Sequence, residues 1–384
     1  MAARYIVFFT VALLVMGTAH YYVWARLVRD AELPSPWARI GTMAIVLLFV
    51  LLMSVFIAMR TLSRRVAGPL TWVGFTWLGV LFFLVFSLGI SDLVKVVAVR
   101  DRGGPDDPER RAALARMFGG AAALAGIGAS GLGLGSALSS VAVKRVRVAI
   151  GRLGASQNGY RIVQITDVHV GPTIGRAFIE EIVAHVNALK PDLVAITGDL
   201  VDGSVEELAE HVAPLAKLRA KDGVFFVTGN HEYYSGADAW IAHLATLGIR
   251  VLRNERVRIG GDEGFDLAGI DDASSRGDGH GPDLEKALRG RDASRACVLL
   301  AHQPRGIELA DKLGVDLQLS GHTHGGQMIP WNFLVRLQQP FVAGLHKLER
   351  AQIYVSCGTG YWGPPMRVGA PAEISEIELS SAAG

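Results

Sequence analysis

Short polar motifs follow five apolar runs in the second half of the chain. They are Asp167-x-His169, Gly198-Asp199, Gly229-Asn230-His231-Glu232, His302 and Gly321-His322-x-His324. Each apolar run has the length of a buried strand, so the motifs fall at predicted carboxyl ends of strands. Because open α/β sheets bind their substrates in the crevice outside these ends, we expect all five motifs to face one common site.

The donor types in these motifs favour a centre of divalent transition-metal ions. Carboxylates, an asparagine carbonyl and imidazoles form a mixed nitrogen and oxygen set, which suits Mn, Fe, Co, Ni or Zn better than Ca. The motifs contain eight candidate side chains, too many for one tetrahedral ion. Two ions about 3.5 to 4 Å apart would use them, and such a pair stabilises the attacking and leaving oxygens of phosphoryl transfer. We therefore predict two divalent metal ions and phosphoester hydrolysis.

The ordered motifs resemble those of the calcineurin-like metallophosphoesterase family, without a missing ligand, over roughly residues 159–379. The resemblance implies an α/β fold with a double β-sandwich flanked by helices, in four αββα layers, around a dinuclear centre. It also implies a ligand assignment: Asp167, His169 and His324 for one metal, Asn230, His302 and His322 for the other, and Asp199 as the bridge. His231 resembles the family's catalytic histidine, which acts on the leaving oxygen as a general acid or electrostatic stabiliser. The nucleophile would be a metal-bound hydroxide.

The expected reaction is hydrolysis of phosphodiester or pyrophosphate bonds, and monoester hydrolysis stays open. The stretch Gly325-Gly326-Gln327 and the apolar N-terminal half resemble a membrane-anchored bacterial subgroup of the family, whose members include phosphodiesterases and hydrolases of nucleotide-linked glycolipids. We therefore expect a phosphoester substrate that is lipid-linked, membrane lipids as further partners, and no nucleic acid. The alternative is a membrane receptor or scaffold that binds phosphorylated ligands through an inactive metallo-domain.

The elements that must position these motifs alternate between strands and helices. Apolar runs typical of buried strands occupy residues 161–165, 192–196, 223–227, 249–252, 265–270, 296–300, 315–319, 353–356 and 374–379. Helical spacing of apolar residues is found at 176–189, 205–218, 238–247, 284–288 and 307–313. The pattern predicts a metallophosphoesterase domain over residues 159–380.

The N-terminal part of the chain has a different composition. Apolar stretches at 5–24, 40–59, 70–90 and 117–143 are each long enough to span a bilayer, and the first three contain no Asp, Glu, Lys or Arg. The fourth is rich in Gly, Ala and Ser, which predicts either a closely packed helix or a former export signal. The sequence thus predicts a transmembrane anchor of about four helices over residues 1–143, followed by a linker at 144–158.

Membrane orientation depends on the basic residues beside these spans. Their numbers on the two sides are nearly equal. Glu109-Arg110-Arg111 precedes the weakly apolar fourth span and resembles a twin-arginine export signal, although paired arginines also act as plain topology determinants. We expect a multi-pass protein of the cell membrane whose catalytic domain lies on the extracytoplasmic side.

The overall composition excludes several other classes of protein. The 384 residues are 50% hydrophobic and 19% charged, which rules out a disordered chain. A net charge of +2 gives no support to a polyanion-binding protein. Two cysteines cannot form a disulfide framework, and Cys297 lies in an apolar run that predicts a buried thiol. The absence of ionisable groups in the first three spans, apart from His20, argues against a transporter.

Some residues near the motifs have two possible roles. Glu232 could position His231 or a metal-bound water, or it could cap the segment that follows. Tyr233 and Tyr234 could contact substrate or pack at the pocket rim. The apolar stretch 328–345 could pack on the core of the domain, or it could be a lip that meets the bilayer with Arg336, Lys347 and Arg350 at headgroup charges.

Overall fold

Two units make up the chain, an N-terminal anchor unit and a catalytic unit. The anchor unit comprises residues 1–135 and 363–366, and the catalytic unit comprises 136–362 and 367–384. The computed structural model describes residues 2–99, 107–275 and 279–381.

Four long helices form the anchor unit. They are α1 Ala2–Trp24, α2 Ser35–Thr61, α3 Arg64–Val99 and α4 Pro108–Leu138. All four are long and apolar enough to cross a membrane, as the four apolar stretches of the sequence predict. Only the last one ends earlier than expected, because the chain enters a strand at Ala142.

The anchor unit exposes its large apolar side chains and buries few of them. Leu124 and Leu132 on α4 are 75% and 78% exposed, whereas Leu52 and Leu88 belong to a small buried core. This distribution suits a lipid environment, in which apolar side chains face outward. A Cβ atom on Gly126 of α4 would lie 3.1 Å from the carbonyl oxygen of Phe83 on α3, which is the close helix approach that small residues permit.

Twelve described strands form the two sheets of the catalytic unit. The first sheet has the order β1-β12-β2-β3-β4-β5, and the second has the order β10-β11-β9-β8-β7-β6. The strands are β1 Ala142–Ile150, β2 Tyr160–Ile165, β3 Leu193–Ile196, β4 Val224–Phe226, β5 Arg250–Val251, β6 Glu255–Ile259, β7 Phe265–Gly269, β8 Ala296–Leu300, β9 Leu317–Ser320, β10 Gly344–Lys347, β11 Gln352–Val355 and β12 Glu373–Ser381.

Strand direction decides where the polar motifs meet. In the first sheet, β2, β3, β4 and β5 run parallel, and β12 is antiparallel to β2. In the second sheet, β7, β8, β9 and β11 run parallel, with antiparallel β6 and β10 at the two edges. Since parallel strands end at the same edge, each sheet presents its motifs at one edge.

Alternating side chains place each sheet between two apolar layers. Ile162 and Leu193 belong to the core shared by both sheets, whereas their chain neighbours Val163 and Val194 belong to the core on the outer face of the first sheet.

The remaining helices are α5 Arg176–Ala188, α6 Val205–Val212, α7 Asn230–Ser235, α8 Ala237–Thr246, α9 Leu284–Leu288, α10 Ile307–Lys312 and α11 Trp331–Val335. Buried residues of α5, α6 and α8 pack on the first sheet, and those of α9 and α10 on the second. This is the predicted αββα arrangement. Cys297 is buried in the outer layer of the second sheet, as predicted.

The residues expected to form a linker, 144–158, instead contain most of β1. This strand pairs in parallel with β12 along its whole length. Arg145 and Arg147 point toward Glu376 and Glu378 with nitrogen–oxygen distances of 2.8 and 2.9 Å, while Val148 and Ile150 further along the strand are buried. The two-residue alternation of β1 was not recognised in the sequence because its outward side chains are basic. The edge strands β6 and β10 were also missed in the sequence.

Candidate metal centre

All eight predicted site residues lie at carboxyl ends of strands. The loop after β2 carries Asp167 and His169, that after β3 carries Asp199, the start of α7 after β4 carries Asn230 and His231, and the loops after β8 and β9 carry His302, His322 and His324. Both sheets therefore contribute side chains to the site.

The backbone at five of the predicted ligands adopts an uncommon conformation. Among the described residues, nine that are not glycine have φ between 46° and 71°, and five of these are Asp167, His169, Asp199, His322 and His324. Each such residue costs about 1 to 3 kcal/mol, and these conformations persist where the surrounding structure enforces them, frequently at functional sites. Gly198 has φ 85°, and a Cβ atom there would lie 2.6 Å from the backbone nitrogen of Gly229, so only glycine fits this position.

Asp167, His169 and His324 form the first donor cluster. Nε2 of His324 lies 3.0 Å from Nε2 of His169 and 3.4 Å from Oδ1 of Asp167. All three residues are buried. A tetrahedral ion with metal–nitrogen distances of about 2.0 Å keeps its ligand atoms roughly 3.3 Å apart. The spacing of this cluster therefore fits one metal ion.

Asp199, His302 and His322 form the second donor cluster. Nε2 of His302 lies 3.1 Å from Oδ2 of Asp199 and 3.2 Å from Nδ1 of His322. Oδ2 of Asp199 is also 3.9 Å from Nε2 of His169, so this carboxylate lies between the two clusters. Oδ1 of Asn230 is buried and receives no hydrogen bond within the described part of the chain. A buried amide oxygen is costly without a partner, and a cation would provide one.

Burial and local charge leave three of these groups, His322, His324 and Asp199, in the protonation state that suits metal binding. Burial and the charge of His302 lower the pKa of His322 to about 3, and burial together with the charge of His169 lowers the pKa of His324. Both imidazoles are therefore neutral near pH 7 and offer a lone pair. Burial acts to raise the pKa of Asp199, but His302 and the other nearby histidines hold it well below its usual range. Asp199 is thus an ionised carboxylate.

His231 and His169 share one carboxylate oxygen. Oδ1 of Asp202 lies 2.6 Å from Nδ1 of His231 and 3.0 Å from Nδ1 of His169. Burial lowers the pKa of His231, but the hydrogen bond to Asp202 and the charge of Asp199 raise it to about 9 overall. His231 is therefore a cation near neutral pH, the form that can donate a proton or stabilise negative charge.

Comparisons with known proteins agree with this geometry. Residues 160–326 match the family model described as calcineurin-like phosphoesterase. A transmembrane protein with metallophosphoesterase domain from Bos taurus is 37% identical, over 97% of this chain and 88% of its own length. The chain belongs to the calcineurin-like phosphoesterase family.

Relatives of this phosphoesterase also occur in bacteria. An uncharacterized metallophosphoesterase of Campylobacter jejuni is 33% identical over 98% of both chains. One of Helicobacter pylori is 44% identical over 57% of this chain and 59% of its own length. The first alignment extends over the apolar N-terminal helices, and the transmembrane name of the Bos taurus relative agrees with membrane association. The family and the donor clusters make this chain a metal-binding hydrolase of phosphoric esters.

Three residues of the phosphoesterase that the sequence reasoning missed lie at the site. Asp202 follows Asp199 by three residues in the loop after β3, and that position was the signal available for it. The ring of Trp362 is centred 5.7 Å from that of His231 and is 55% exposed. Arg367 is buried, donates hydrogen bonds to the carbonyl oxygens of Gly360 and Ala370, and so supports the loop beside His324.

The structure also assigns contacts to the residues with two possible roles. Glu232 is buried and accepts hydrogen bonds from the backbone nitrogens of Gly229 and Asp199, at 2.6 and 3.0 Å, and from that of Leu200. The bond from Gly229 corresponds to the capping role, and the bonds from Asp199 and Leu200 hold the loop that carries Asp199. Tyr234 is 72% exposed, with its ring 5.3 Å from that of His231, whereas the hydroxyl of Tyr233 lies 3.2 Å from Oγ1 of Thr228. Tyr234 therefore lies at the rim of the centre.

Proposed function

We propose that this phosphoesterase hydrolyses phosphodiester or pyrophosphate bonds with two divalent ions. The observation that carries the proposal is the position of Asp199, whose Oδ2 lies 3.1 Å from His302 in one donor cluster and 3.9 Å from His169 in the other. When bound, the two ions would supply a hydroxide nucleophile at neutral pH and offset charge on the reacting phosphate.

The ligands divide between the two ions as the family resemblance implies. Asp167, His169 and His324 would hold one ion, and Asn230, His302 and His322 would hold the other. Asp199 would serve both. Mn, Fe, Zn, Co and Ni all suit this mixed donor set.

Side chains of the protein transfer the proton and stabilise the charge that develops on the phosphate. His231, held by Asp202, donates a proton to the leaving oxygen or stabilises charge on the phosphate as the ester bond breaks. Asp202 keeps both imidazoles in one orientation, since its Oδ1 contacts Nδ1 of each. The exposed rings of Tyr234 and Trp362 flank the access of substrate to His231.

The direct test uses the full-length protein in detergent with added Mn²⁺. We expect it to release p-nitrophenol from bis-p-nitrophenyl phosphate, and we expect Asp199→Ala or His231→Ala to abolish the release. His185→Ala, a histidine substitution on α5 outside the centre, is the matched control. A folded and metal-loaded wild type that hydrolyses no phosphoester would favour the receptor alternative. Anomalous scattering from manganese in a crystal would count the ions.

We also propose that the substrate is membrane-associated. The exposed surface of α11 and of the two residues after it supports this part of the proposal. Trp331, Phe333, Leu334 and Leu337 lie close together in sequence and are between 49% and 81% exposed, and Arg336 is exposed among them. An exposed apolar patch of this kind is typical of a surface that meets a partner or a membrane. Of the two interpretations of the stretch 328–345, the lip agrees better with this exposure.

A pair of substrates tests the lip. We expect Trp331→Ala with Phe333→Ala to reduce hydrolysis of a lipid-linked diester in vesicles about 100-fold or more, because the two burials of about 1.5 to 3 kcal/mol each are both lost, and to leave hydrolysis of a soluble diester unchanged. Equal rates for wild type and variant on the lipid-linked diester would remove the lip from the proposal.

The catalytic unit lies on the extracytoplasmic side of the cell membrane in this proposal. The support is Arg110-Arg111 in the first turns of α4, which would stay inside if α4 crosses outward. A protease added to intact cells then digests the catalytic unit. Protection of the catalytic unit in intact cells, with digestion after lysis, would place it inside.

A further inference from the structure

Two aromatic side chains beside His231 are exposed to solvent. The ring of Tyr234, on α7, is centred 5.3 Å from that of His231, and the ring of Trp362 is centred 5.7 Å from it. Tyr234 is 72% exposed and Trp362 is 55% exposed. The side chain of His231 is itself 15% exposed. All three side chains are therefore open to a molecule from solution.

The side chain of Gln327 fixes the backbone of Trp362 through two hydrogen bonds. Nε2 of Gln327 donates to the carbonyl oxygen of Trp362 at 2.9 Å, and Oε1 of Gln327 accepts from the backbone nitrogen of Trp362 at 3.0 Å. Gln327 is buried. Because the donor and the acceptor of one amide group pair with the same residue, the two bonds fix the orientation of that residue as well as its position.

Gln327 follows the metal-binding loop after β9 and is itself held on both sides. Its backbone nitrogen donates to the carbonyl oxygen of His324 at 3.0 Å, and its carbonyl oxygen accepts from the backbone nitrogen of Val368 at 2.8 Å. The preceding Gly326 has φ 84°, and a Cβ atom there would lie 2.5 Å from Cα of Asn332, so this turn requires glycine. The turn places Gln327 at a fixed position relative to His324.

The segment that precedes Trp362 is fixed to another loop of the metal centre. The backbone nitrogen of Gly360 donates to the carbonyl oxygen of Asp167 at 3.0 Å. Trp362 is thus connected to the loops of two predicted metal ligands, to that of Asp167 through its own segment and to that of His324 through Gln327. Its backbone is fixed before any ligand arrives, and an indole has only two side-chain torsions to order, so the entropic cost of binding is small.

The chemistry of the two exposed rings defines the group that they would take. Aromatic rings attract other planar rings through offset or edge-to-face contacts, with centroids about 4.5 to 7 Å apart. Such stacking tolerates different substituents, because every planar ring has a π-face. His231 acts on the leaving oxygen in the proposed reaction, so a ring bound next to His231 belongs to the leaving group.

We propose that Trp362, positioned by Gln327 and assisted by Tyr234, binds a planar aromatic or heteroaromatic ring on the leaving group of the substrate. The rings of Trp362 and Tyr234 are called the aromatic platform below. The inference rests on the proposed phosphoester hydrolysis, because that reaction gives the substrate its leaving group. Trp362 is then a specificity-determining residue, and Gln327 is a positioning residue that acts through it.

The test compares two methyl phosphodiesters whose leaving groups, 2-naphthol and hexafluoroisopropanol, have similar acidity. Only the first leaving group is a planar ring, and both substrates release methyl phosphate, which phosphorus NMR measures. For the full-length protein in detergent with Mn²⁺, we expect Trp362→Leu to lower kcat/KM about tenfold for the naphthyl diester, within the range for a stacked ring, and by less than about twofold for the other diester. Trp362→Phe, which retains a ring, should recover most of the loss.

Two further variants keep the result specific. Trp37→Leu removes an indole that is 64% exposed on α2, outside the catalytic unit, and it should leave kcat/KM for both diesters unchanged. Tyr234→Leu tests the second ring, with an expected loss of about threefold for the naphthyl diester alone, and it decides the question if Trp362→Leu does not fold. An equal loss for both diesters in Trp362→Leu, or no loss for the naphthyl diester, overturns the aromatic platform.

A double-mutant cycle tests the positioning role of Gln327. Gln327→Met keeps the length of the side chain but removes both hydrogen bonds to Trp362, so it should lower the preference for the naphthyl diester about threefold or more. In the Trp362→Leu background it should change the preference no further, because the two residues act as one unit. Gln352→Met removes a bond to the carbonyl oxygen of Ala149 at the start of β11 and should leave the preference unchanged. A further loss of preference in the Trp362→Leu background would overturn the positioning role.

Failure of the proposed hydrolysis gives a different result. If the wild type hydrolyses neither diester, calorimetry with 2-naphthylmethylphosphonate and cyclohexylmethylphosphonate still measures ring binding, because their phosphorus–carbon bonds resist hydrolysis. Tighter binding of the naphthyl compound, by about tenfold in Kd and lost in Trp362→Leu, supports the aromatic platform without catalysis. Equal Kd values, or a preference that persists in Trp362→Leu, overturn it.

Discussion

The two sheets of the catalytic unit contribute different chemistry to one centre. The first sheet supplies both carboxylates, Asp167 and Asp199, whereas the second supplies only imidazoles, those of His302, His322 and His324. Each donor cluster combines side chains from both sheets: His324 joins Asp167 and His169, and His302 joins Asp199. Neither sheet holds a complete cluster, so the centre exists only where the two sheets pack together.

This division of the donors between the two sheets predicts that metal binding also stabilises the fold. The carboxylates lie on the first sheet and the three imidazoles of His302, His322 and His324 lie on the second, so an ion bound between them would link the two layers of the sandwich. Ligand binding to the folded state raises its stability. We therefore expect metal to hold the sheets together as well as to support catalysis, and the following experiments test that view.

The largest effect should come from the carboxylate that lies between the clusters. Asp199→Ala removes the donor common to both, and metal ions contribute several kcal/mol of charge stabilisation. We expect kcat/KM for a diester to fall at least about 10³-fold, with loss of bound metal measured by elemental analysis. His185→Ala should retain both. Full metal content in Asp199→Ala would contradict the bridging position.

Substitution of His231, which follows a strand of the first sheet, should separate the effect on catalysis from the effect on metal binding. Because it approaches the clusters without belonging to the predicted ligand set, His231→Gln should lower kcat by about 10² to 10⁴-fold, the range for general acid catalysis. Metal content should stay at the wild-type value. A parallel loss of metal would make His231 a ligand and would change the ligand assignment.

Removal of metal should weaken the packing of the two sheets. At an ion concentration of about 100 times Kd, binding contributes about 2.7 kcal/mol to stability, which corresponds to roughly 5 to 10 °C in the Tm of a unit of this size. Chelation should therefore lower the Tm of the wild type by that amount and leave that of Asp199→Ala unchanged. An identical shift in both proteins would show that the stabilising ion binds elsewhere.

The smallest of these effects should come from Asp202, which touches both imidazoles of the first sheet. Asp202→Asn retains the size of the side chain but changes its charge, and changes beside metal ligands typically cost about 10 to 100-fold in activity or metal affinity. The two hydrogen bonds predict losses in both quantities, measured as kcat and as the metal dissociation constant. A change in kcat alone would indicate that only the contact with His231 matters.

The sequence predicted the layered fold because each layer has a local signature. The alternation at Ile162 and Val163 places one residue on each face of a strand, and the spacing of Ile179, Ile182 and Val186 in α5 buries one side of a helix. The edge strand β1 was not predicted, because its outward residues are basic and its neighbour β12 lies more than 200 residues away in the chain. A fragment that begins at residue 151 would therefore leave β12 without this partner.

The sequence by itself determined which donor types occur and that each follows a strand, since both are local properties of the chain. Only the tertiary structure decided which donors meet. His169 and His324 are 155 residues apart in sequence, yet their Nε2 atoms lie 3.0 Å apart. Asp202 acquires its role in the same way, through His231 and His169 brought from other loops. The physical reason is that side-chain periodicity specifies a strand locally, whereas distances between strand ends follow from the packing of two sheets around one core.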